Sequence, residues 1–350
     1  MILIRNIIIL LTIFFICSGY IVHSYDEDKI MIVATIPQLA NIAKEIGGSR
    51  VKVEVLIPPG IDPHTYELGG REIKLLEKSD VIIMTGPKHL YIEDRIKDLV
   101  RERIINAKII DYENYTVEGL ELKYVPGFNK INPHGYFLSH KGMVAIAKTL
   151  TKTLESIDPN NKIYYESRLS EFLTKLNMYF NYAREIIDKA MKKSNRKIIV
   201  ATFSPIPQYL LEDLGVEIKY VLVLDPHQKL DPKSIEKLIN MMTNGEIDVF
   251  ILTDSDIAHE GYKLAKVLSE MKIHYITIPT LTINDSIAIA ISTASSIATI
   301  IDFSQIGKSY NSKPGNSSHI LWFLSMIIII ETSVIIILIL RIRSLKYRLR

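Results

Sequence analysis

Short apolar runs alternate with longer stretches of helical periodicity over most of this 350-residue chain. Eight runs have the length and the Ile and Val content of buried strands, at 30–35, 51–55, 81–85, 107–112, 197–202, 217–224, 249–253 and 274–278. Apolar residues at helical spacing predict helices at 36–46, 71–78, 141–157, 162–193, 208–214, 232–243, 259–271 and 286–301. Strands that alternate with helices form parallel sheets with crossover connections, so the pattern predicts an α/β fold.

The predicted helix at 162–193 is much longer than the others and contains neither Pro nor Gly. A helix of about 32 residues is about 48 Å long at 1.5 Å per residue, which is enough to join two lobes. We therefore predict an N-terminal lobe at 25–159, a linking helix at 160–194 and a C-terminal lobe at 195–303. Each lobe should hold a mostly parallel sheet flanked by helices. A coiled coil is the alternative for the long stretch, but its apolar pattern is short and irregular.

The start of the chain has the pattern of a signal peptide. Arg5 is the only charge in the first 24 residues, and the apolar run at 7–17 follows it. Small residues up to Ser24 predict cleavage after that residue, and an uncleaved N-terminal anchor remains the alternative. The only cysteine, Cys17, lies inside the apolar run, so the mature chain should contain no disulfide and no thiolate metal site.

The end of the chain has the pattern of a membrane anchor. The apolar run at 320–340 is long enough to cross a bilayer core of about 30 Å. The tail at 341–350 carries five positive charges and no negative charge, which predicts a cytoplasmic tail and places the lobes outside the cell. A polar stalk at 304–319 precedes the span. Glu331 inside the span either pairs with a polar group of a membrane partner or is protonated in a simple anchor.

Charge excludes one class of partner. The net charge of the whole chain is +3 at pH 7, and the cytoplasmic tail supplies five of the positive charges. The two predicted lobes are therefore close to neutral and carry no basic stripe, so we expect no nucleic-acid partner.

Two histidines stand in matching triplets, Asp62-Pro63-His64 and Asn132-Pro133-His134. Neutral imidazole is the commonest side-chain ligand of transition metals, and the preceding proline stiffens the approach to each histidine. His64 follows the carboxyl end of a predicted strand, at the edge where open α/β sheets bind ligands. The triplets therefore predict a preformed transition-metal site that contains His64 and His134.

These features together resemble the metal-binding substrate-binding proteins of zinc and manganese ABC importers. The resemblance runs from about residue 30 to 301 and is most specific at 58–67, Pro-Pro-Gly-Ile-Asp-Pro-His-Thr-Tyr-Glu. Weaker motifs lie in the same order along the chain as in that family: Val33-Ala34-Thr35-Ile36-Pro37, 47–51, 132–134, Asp158-Pro159-Asn160 with Tyr164 or Tyr165, the long helix, Tyr209 with Leu214-Gly215, and Asp285-Ser286.

The resemblance implies a metal held between the lobes by four side chains. His64 and His134 would be the ligands of the first lobe, and Asp285 would be the fourth ligand, from the second lobe. The family places a third ligand, His or Glu, five residues before a tyrosine, and counting back from Tyr209 gives Ser204. This is a departure, because a neutral hydroxyl is a poor ligand for Zn²⁺ or Mn²⁺ beside imidazole and carboxylate.

Three consequences of the serine stay open. Water completes the site, or another side chain near a strand end replaces the missing ligand, or the substrate differs. His227, His89 and Asp254 are the possible substitutes, although His227 and His89 have the alternative of being solvent-facing loop residues. We expect His140 and His259 to be ordinary helix-surface residues.

The resemblance implies a capture protein rather than an enzyme. It would be the extracellular solute-binding component of an ABC importer, bind Zn²⁺ or Mn²⁺ as its substrate, and deliver the ion to a membrane permease driven by a separate ATPase. The span at 320–340 would hold it in the cell membrane beside that permease. The alternatives are an outer-surface metallohydrolase with Glu67 as general base, and a non-transporting adhesion or structural protein on the same fold.

Overall fold

The computed structural model describes residues 29–86 and 89–311, which contain two α/β lobes. The described residues up to Asp302 form one compact unit. The predicted signal peptide at 1–24 with Cys17, the second half of the stalk at 312–319, the span at 320–340 with Glu331, and the tail at 341–350 lie outside the described residues.

The first lobe holds a four-stranded parallel sheet in the order β2-β1-β3-β4. Its strands are β1 (Ile30–Ala34), β2 (Val51–Val55), β3 (Val81–Ile83) and β4 (Lys108–Ile110). The chain passes from β1 to one neighbour, β2, and then to the opposite neighbour, β3. The loops that leave the carboxyl ends of β2 and β3 therefore flank the end of β1, where open α/β sheets bind ligands.

The second lobe repeats this arrangement with the order β6-β5-β7-β8, again with every pairing parallel. Its strands are β5 (Ile199–Thr202), β6 (Glu217–Val221), β7 (Val249–Thr253) and β8 (Tyr275–Ile278). All eight predicted strands are present, most of them shorter than predicted. The predicted fold class of two lobes with parallel sheets is confirmed.

The described helices cover the faces of both sheets. They are α1 (Pro37–Gly47), α2 (Gly70–Leu76), α3 (Tyr91–Arg101), α4 (Tyr112–Val117), α5 (His140–Ile157), α6 (Lys162–Ser194), α7 (Gln208–Asp213), α8 (Pro232–Thr243), α9 (Asp254–Ala258), α10 (Gly261–Glu270) and α11 (Ser286–Asn311). Sequence reasoning missed α3, α4 and α9. The helical spacing of Ile92, Ile96 and Leu99 in α3 was a usable signal, whereas α4 and α9 span only six and five residues.

The predicted linking helix is confirmed as α6, which has 33 residues and contacts both lobes. The Nε of Arg168 donates to the carbonyl oxygen of Glu45 in α1, and the Nε of Arg184 donates to that of Asp213 in the second lobe. Its inner face is fully buried from Leu176 to Ile187, a stretch that also includes Phe180 and Ala183. One apolar core runs through this helix from the first lobe into the second.

The last described helix belongs to the same core. Ile289, Ala294 and Ile297 of α11 are buried within it. Within the described residues, the segment Ser286–Phe303 of this helix is long and apolar enough to cross a membrane by length and composition alone. Core helices also meet that criterion, so the segment carries no conclusion about the span predicted at 320–340.

Candidate metal centre

Five of the seven histidines in the described residues lie in two adjacent groups beside the cleft between the lobes. His64 lies in the loop after β2, His89 in the loop after β3, and His134 in the loop before α5. Together they form the three-histidine group. His227 and His259 belong to the second group, with Asp62.

The three-histidine group has the dimensions of a metal site. One ring nitrogen from each of His64, His89 and His134 lies within 4.8 Å of the other two. The Nε2 atom of His89 is 2.9 Å from Nδ1 of His134, and the ring of His64 lies 5.6 and 5.5 Å from those two rings, centre to centre. Nitrogen ligands that share an ion at about 2.0–2.1 Å are about 2.8–3.4 Å apart, so small side-chain movements bring the three onto one ion.

The Asp/Asn-Pro-His triplets are local turns that present the imidazole. The Oδ1 atom of Asp62 accepts a hydrogen bond from the backbone N–H of His64 at 3.0 Å, and Oδ1 of Asn132 accepts one from that of His134 at 2.9 Å. Asp and Asn commonly make such turns with the backbone two residues ahead. The triplet therefore fixes the histidine backbone from both sides, by the proline ring and by the side-chain acceptor.

A buried carboxylate that sequence reasoning missed organises the loop that carries His89. Glu93, at the start of α3, is fully buried and accepts hydrogen bonds from the backbone N–H groups of Thr85 and Gly86 at 2.7 and 2.8 Å. The hydroxyls of Thr35 and Thr85 also donate to it, at 2.6 and 2.8 Å. Burial raises the pKa of Glu93 to about 7, although these donors favour its ionised form.

The ionised form of Glu93 sets the tautomer of His89 through Thr85. When Glu93 is ionised it only accepts, so the Thr85 hydroxyl hydrogen points to Glu93 and the Thr85 oxygen accepts from His89. That oxygen lies 2.6 Å from Nδ1 of His89, which therefore carries the proton. The Nε2 lone pair then faces Nδ1 of His134 at 2.9 Å, where it accepts a hydrogen bond in the metal-free protein and can bind a metal once that proton leaves. Outer hydrogen bonds of this kind commonly orient metal-binding histidines.

Burial also keeps the three imidazoles neutral. It lowers the pKa of His134 to about 4, holds the pKa of His89 well below its usual range, and lowers the pKa of His64. Only a neutral imidazole can bind a metal, so protons hardly compete with a metal for this group at pH 7.

The structure places the other predicted ligands outside the three-histidine group. Ser204 is fully buried at the end of β5 and is not among the residues that line the cleft. Asp285 caps α11 by accepting from the backbone N–H of Ile287 at 2.9 Å, and it borders a separate depression beside Lys175. Its carboxylate is thus used to satisfy a helix terminus.

Asp254 and Glu67 also lie outside the three-histidine group. Asp254 accepts from the backbone N–H groups of Leu281 and Thr282 and from nearby hydroxyls, so it holds the loop after β8. Glu67 is exposed and lines a different depression with Tyr91 and Arg95, which gives no support to its predicted role as a general base. His89, predicted as a possible substitute ligand, lies together with His64 and His134.

One prediction about histidines is wrong. His259 is not an ordinary helix-surface residue, because it follows the last turn of α9 and its Nε2 atom lies 3.0 Å from Oδ2 of Asp62. His227 lies 3.0 Å from the same oxygen, which puts both side chains beside the three-histidine group rather than in it. His140 begins α5, where its ring nitrogen contacts the Asn177 side chain at 2.6 Å.

The second lobe closes the cleft over the three-histidine group with side chains that are mostly apolar. Ile206, Ser255 and Leu281 contribute from that lobe, opposite Ile36 and Phe137 of the first. The described cleft therefore offers nitrogen ligands on one side and largely apolar cover on the other.

Comparison with known proteins agrees with this architecture. Residues 32–284 match the family described as zinc-uptake complex component A, periplasmic. The manganese ABC transporter substrate-binding lipoprotein PsaA of Streptococcus mitis is 27% identical over 232 residues, which cover 65% of this chain and 73% of that protein. The iron ABC transporter substrate-binding lipoprotein MtsA of Streptococcus pyogenes is 26% identical over 231 residues, covering 65% and 72%. A crystal structure of ZnuA has a similar fold, with a TM-score of 0.65 at 22% identity over 78% of this chain and 99% of that one.

Proposed function

The chain belongs to the zinc-uptake complex component A family, and from that premise we propose that it is the solute-binding component of an ABC importer for a divalent transition metal. It captures the ion between its lobes and delivers it to a membrane permease that a separate ATPase drives. The curated relatives are named as substrate-binding components of such transporters.

The observation that carries the proposal is the three-histidine group. His64, His89 and His134 offer three neutral imidazoles at the edge of the cleft, and the network of Glu93 and Thr85 orients one of them. The fourth coordination position faces the cleft, where water completes the shell. The ion is cargo, so a site with one exchangeable position suits uptake and release.

The ligand set also favours one cargo. Imidazole suits Zn²⁺, whereas Mn²⁺ prefers carboxylate and other oxygen ligands. The three-histidine group contains no carboxylate, and the predicted Asp285 caps a helix elsewhere. We therefore infer that Zn²⁺ binds more tightly than Mn²⁺, although PsaA is named for manganese.

One part of the proposal concerns attachment of the protein to the membrane. The span predicted at 320–340 would hold the protein in the membrane with its lobes outside. The curated relatives, by contrast, are named as lipoproteins.

Closure of the lobes on the ion would be small, because α6 contacts both lobes and one apolar core runs through it.

Thermal unfolding of the metal-free full-length chain in mild detergent tests the proposal. Zn²⁺ at a hundredfold excess over its Kd should stabilise the protein by about 2.7 kcal/mol, with Mn²⁺ requiring higher concentrations. His64→Ala and His134→Gln should lose the part of this response that comes from the three-histidine group. His274→Gln, a change in an exposed histidine outside both groups, should keep it.

The absence of any metal-dependent stabilisation would contradict the proposal and favour a non-transporting role. Metal-dependent hydrolysis of ester, peptide or phosphate substrates by the same preparation would favour the metallohydrolase alternative.

A further inference from the structure

Asp62, His227 and His259 form a second group of metal-binding side chains, which we call the lobe-bridging group. The Nε2 atoms of His227 and His259 each lie 3.0 Å from the same oxygen, Oδ2 of Asp62. The two imidazole rings are 3.9 Å apart, centre to centre, and tilted by 43°. Three ligand atoms from three separate loops thus converge on one point.

The members of this group come from different lobes. Asp62 lies in the loop between β2 and α2 of the first lobe, whereas His227 lies between β6 and α8, and His259 between α9 and α10. An ion held by all three side chains would join the two lobes directly.

The hydrogen bonds of His227 require either a proton or a metal ion between this histidine and Asp62. Its Nδ1 atom is 2.9 Å from Oδ1 of Asp225, and an N–H in that position donates to the carboxylate. In the neutral imidazole the Nε2 atom then carries a lone pair, which faces the Asp62 oxygen at 3.0 Å. Two acceptors at that distance repel each other unless a proton or a metal ion lies between them.

The spacing and the chemical types of these side chains match those of a metal site. Two neighbouring ligand atoms on one ion at about 2.0–2.1 Å are about 2.8–3.4 Å apart in octahedral or tetrahedral geometry. Two imidazoles and one carboxylate suit divalent transition metals and leave positions open for water. Asp225 behind His227 is the kind of carboxylate that commonly orients a metal-bound histidine.

We propose that Asp62, His227 and His259 bind a second divalent transition metal ion, which joins the two lobes and slows release of the cargo from the three-histidine group. The proposal goes beyond the capture function and does not require that the first ion be transported.

Asp62 connects the two groups physically. Its Oδ1 atom accepts from the backbone N–H of His64 at 3.0 Å, while its Oδ2 atom faces His227 and His259. The loop that carries His64 also contacts the second lobe through the N–H of Gly60, which donates to the carbonyl of Leu281 at 2.9 Å. An ion on Asp62 would hold this loop, and His64 with it, against the second lobe.

Zinc stoichiometry of the full-length chain tests the site. With Zn²⁺ as the probe, calorimetry and elemental analysis after gel filtration should give two equivalents for the wild type. The variant His227→Gln/His259→Gln should bind one, as should His64→Gln/His89→Gln/His134→Gln. His274→Gln should bind two. A variant lacking all five cleft histidines measures any binding elsewhere in the chain, and that amount is subtracted.

Asp62→Asn gives a second, milder variant that is expected to fold. The triplet Asn132-Pro133-His134 already makes the same turn with an amide oxygen, so Asn at position 62 can still accept from His64. This variant should bind one equivalent of zinc. It should also release zinc from the three-histidine group at least about fivefold faster than the wild type in a chelator-competition assay.

The outcomes separate this proposal from the capture function. Suppose that His64→Gln/His89→Gln/His134→Gln still binds one equivalent and that His227→Gln/His259→Gln binds one fewer than the wild type. The lobe-bridging site then stands, even if the three-histidine group fails as a cargo site. A wild type that binds one equivalent, unaffected by His227→Gln/His259→Gln or Asp62→Asn, overturns the second site. A fall to one equivalent in Asp62→Asn with an unchanged release rate overturns its effect on cargo release.

Discussion

The two histidine groups are neighbours that use the same local turn in different surroundings. His64 and His227 are 5.7 Å apart, ring centre to ring centre, and each follows an Asp-Pro pair whose carboxylate accepts from the histidine backbone. Burial lowers the pKa of His64. Burial would also lower the pKa of His227, but hydrogen bonds to Asp225 and Asp62 outweigh it and raise that pKa. The turn presents an imidazole, and the surroundings decide its charge.

This contrast separates the conditions under which each group binds a metal. The three-histidine group stays neutral at pH 7 and has no carboxylate ligand, so it favours an ion that accepts nitrogen ligands without proton release. The lobe-bridging group contains a carboxylate, and in it a metal has to compete with protons on His227. The predictions below test the contrast, beginning with the largest expected effect.

Removal of one ligand should affect the two groups unequally. His134→Gln removes a ligand and should weaken zinc binding to the three-histidine group more than about 100-fold. Loss of an outer-shell partner alone commonly costs 10–100-fold. His227→Gln should leave the affinity of that site within about tenfold, the coupling expected between linked sites. Calorimetric titration measures both values. Equal losses in the two variants would mean that the histidines form one site rather than two.

The support of His89 by Thr85 should matter for affinity. Thr85→Val removes the acceptor of the His89 Nδ1–H, and the zinc affinity of the three-histidine group should fall 10–100-fold. Thr35→Val is the matched control, because it also removes a hydroxyl donor from Glu93 but does not contact His89. Calorimetry compares the two variants, and nitrogen NMR of the His89 ring reports its tautomer. A similar loss in both variants would assign the effect to Glu93 and not to His89.

Stability of the metal-free protein should depend on pH through His134. Its pKa is about 4 in the folded protein, below the ordinary value of 6.5, so the unfolded chain binds the proton first as the pH falls. The stabilisation that His134 contributes is therefore complete above pH 6.5 and is lost toward pH 4. Between pH 6.5 and 4.5 the loss should be about 2 kcal/mol.

Glu93 acts in the opposite direction, because burial raises its pKa to about 7 and an acid with a raised pKa favours folding as the pH falls. Denaturant unfolding of the wild type and His134→Gln over this pH range isolates the histidine. The wild type should lose about 2 kcal/mol more than the variant. Parallel curves for the two proteins would contradict a depressed pKa at His134.

The smallest effect is expected for a residue that belongs to neither group. Asp285→Ala removes the cap of α11 and should lower the free energy of unfolding by about 1 kcal/mol. Zinc affinity should not change. Denaturant unfolding and calorimetry test both statements. A large loss of affinity in this variant would restore Asp285 as a ligand.

Features of this protein that depend on neighbouring residues in the chain could be predicted from the sequence. Strand and helix positions follow from the period of apolar residues, and α6 was predicted to within one residue at its end. The turns at His64 and His134 follow from their triplets, because proline and the Asx side chain act within three residues. The short helices α4 and α9 were missed because so few residues carry little periodicity.

Which side chains meet depends on strand order and on the contact between the lobes, so it could not be predicted from the sequence. His89 joins His64 because β2 and β3 lie on opposite sides of β1, so the loops after them converge over its end. His259 and His227 reach Asp62 because the second lobe closes against the first. Asp285 has the residue type and the position in the chain of a ligand, yet its carboxylate caps a helix. Strand order and the contact between the lobes bring together residues that are up to 197 positions apart in the chain. A local sequence pattern contains no information about such contacts.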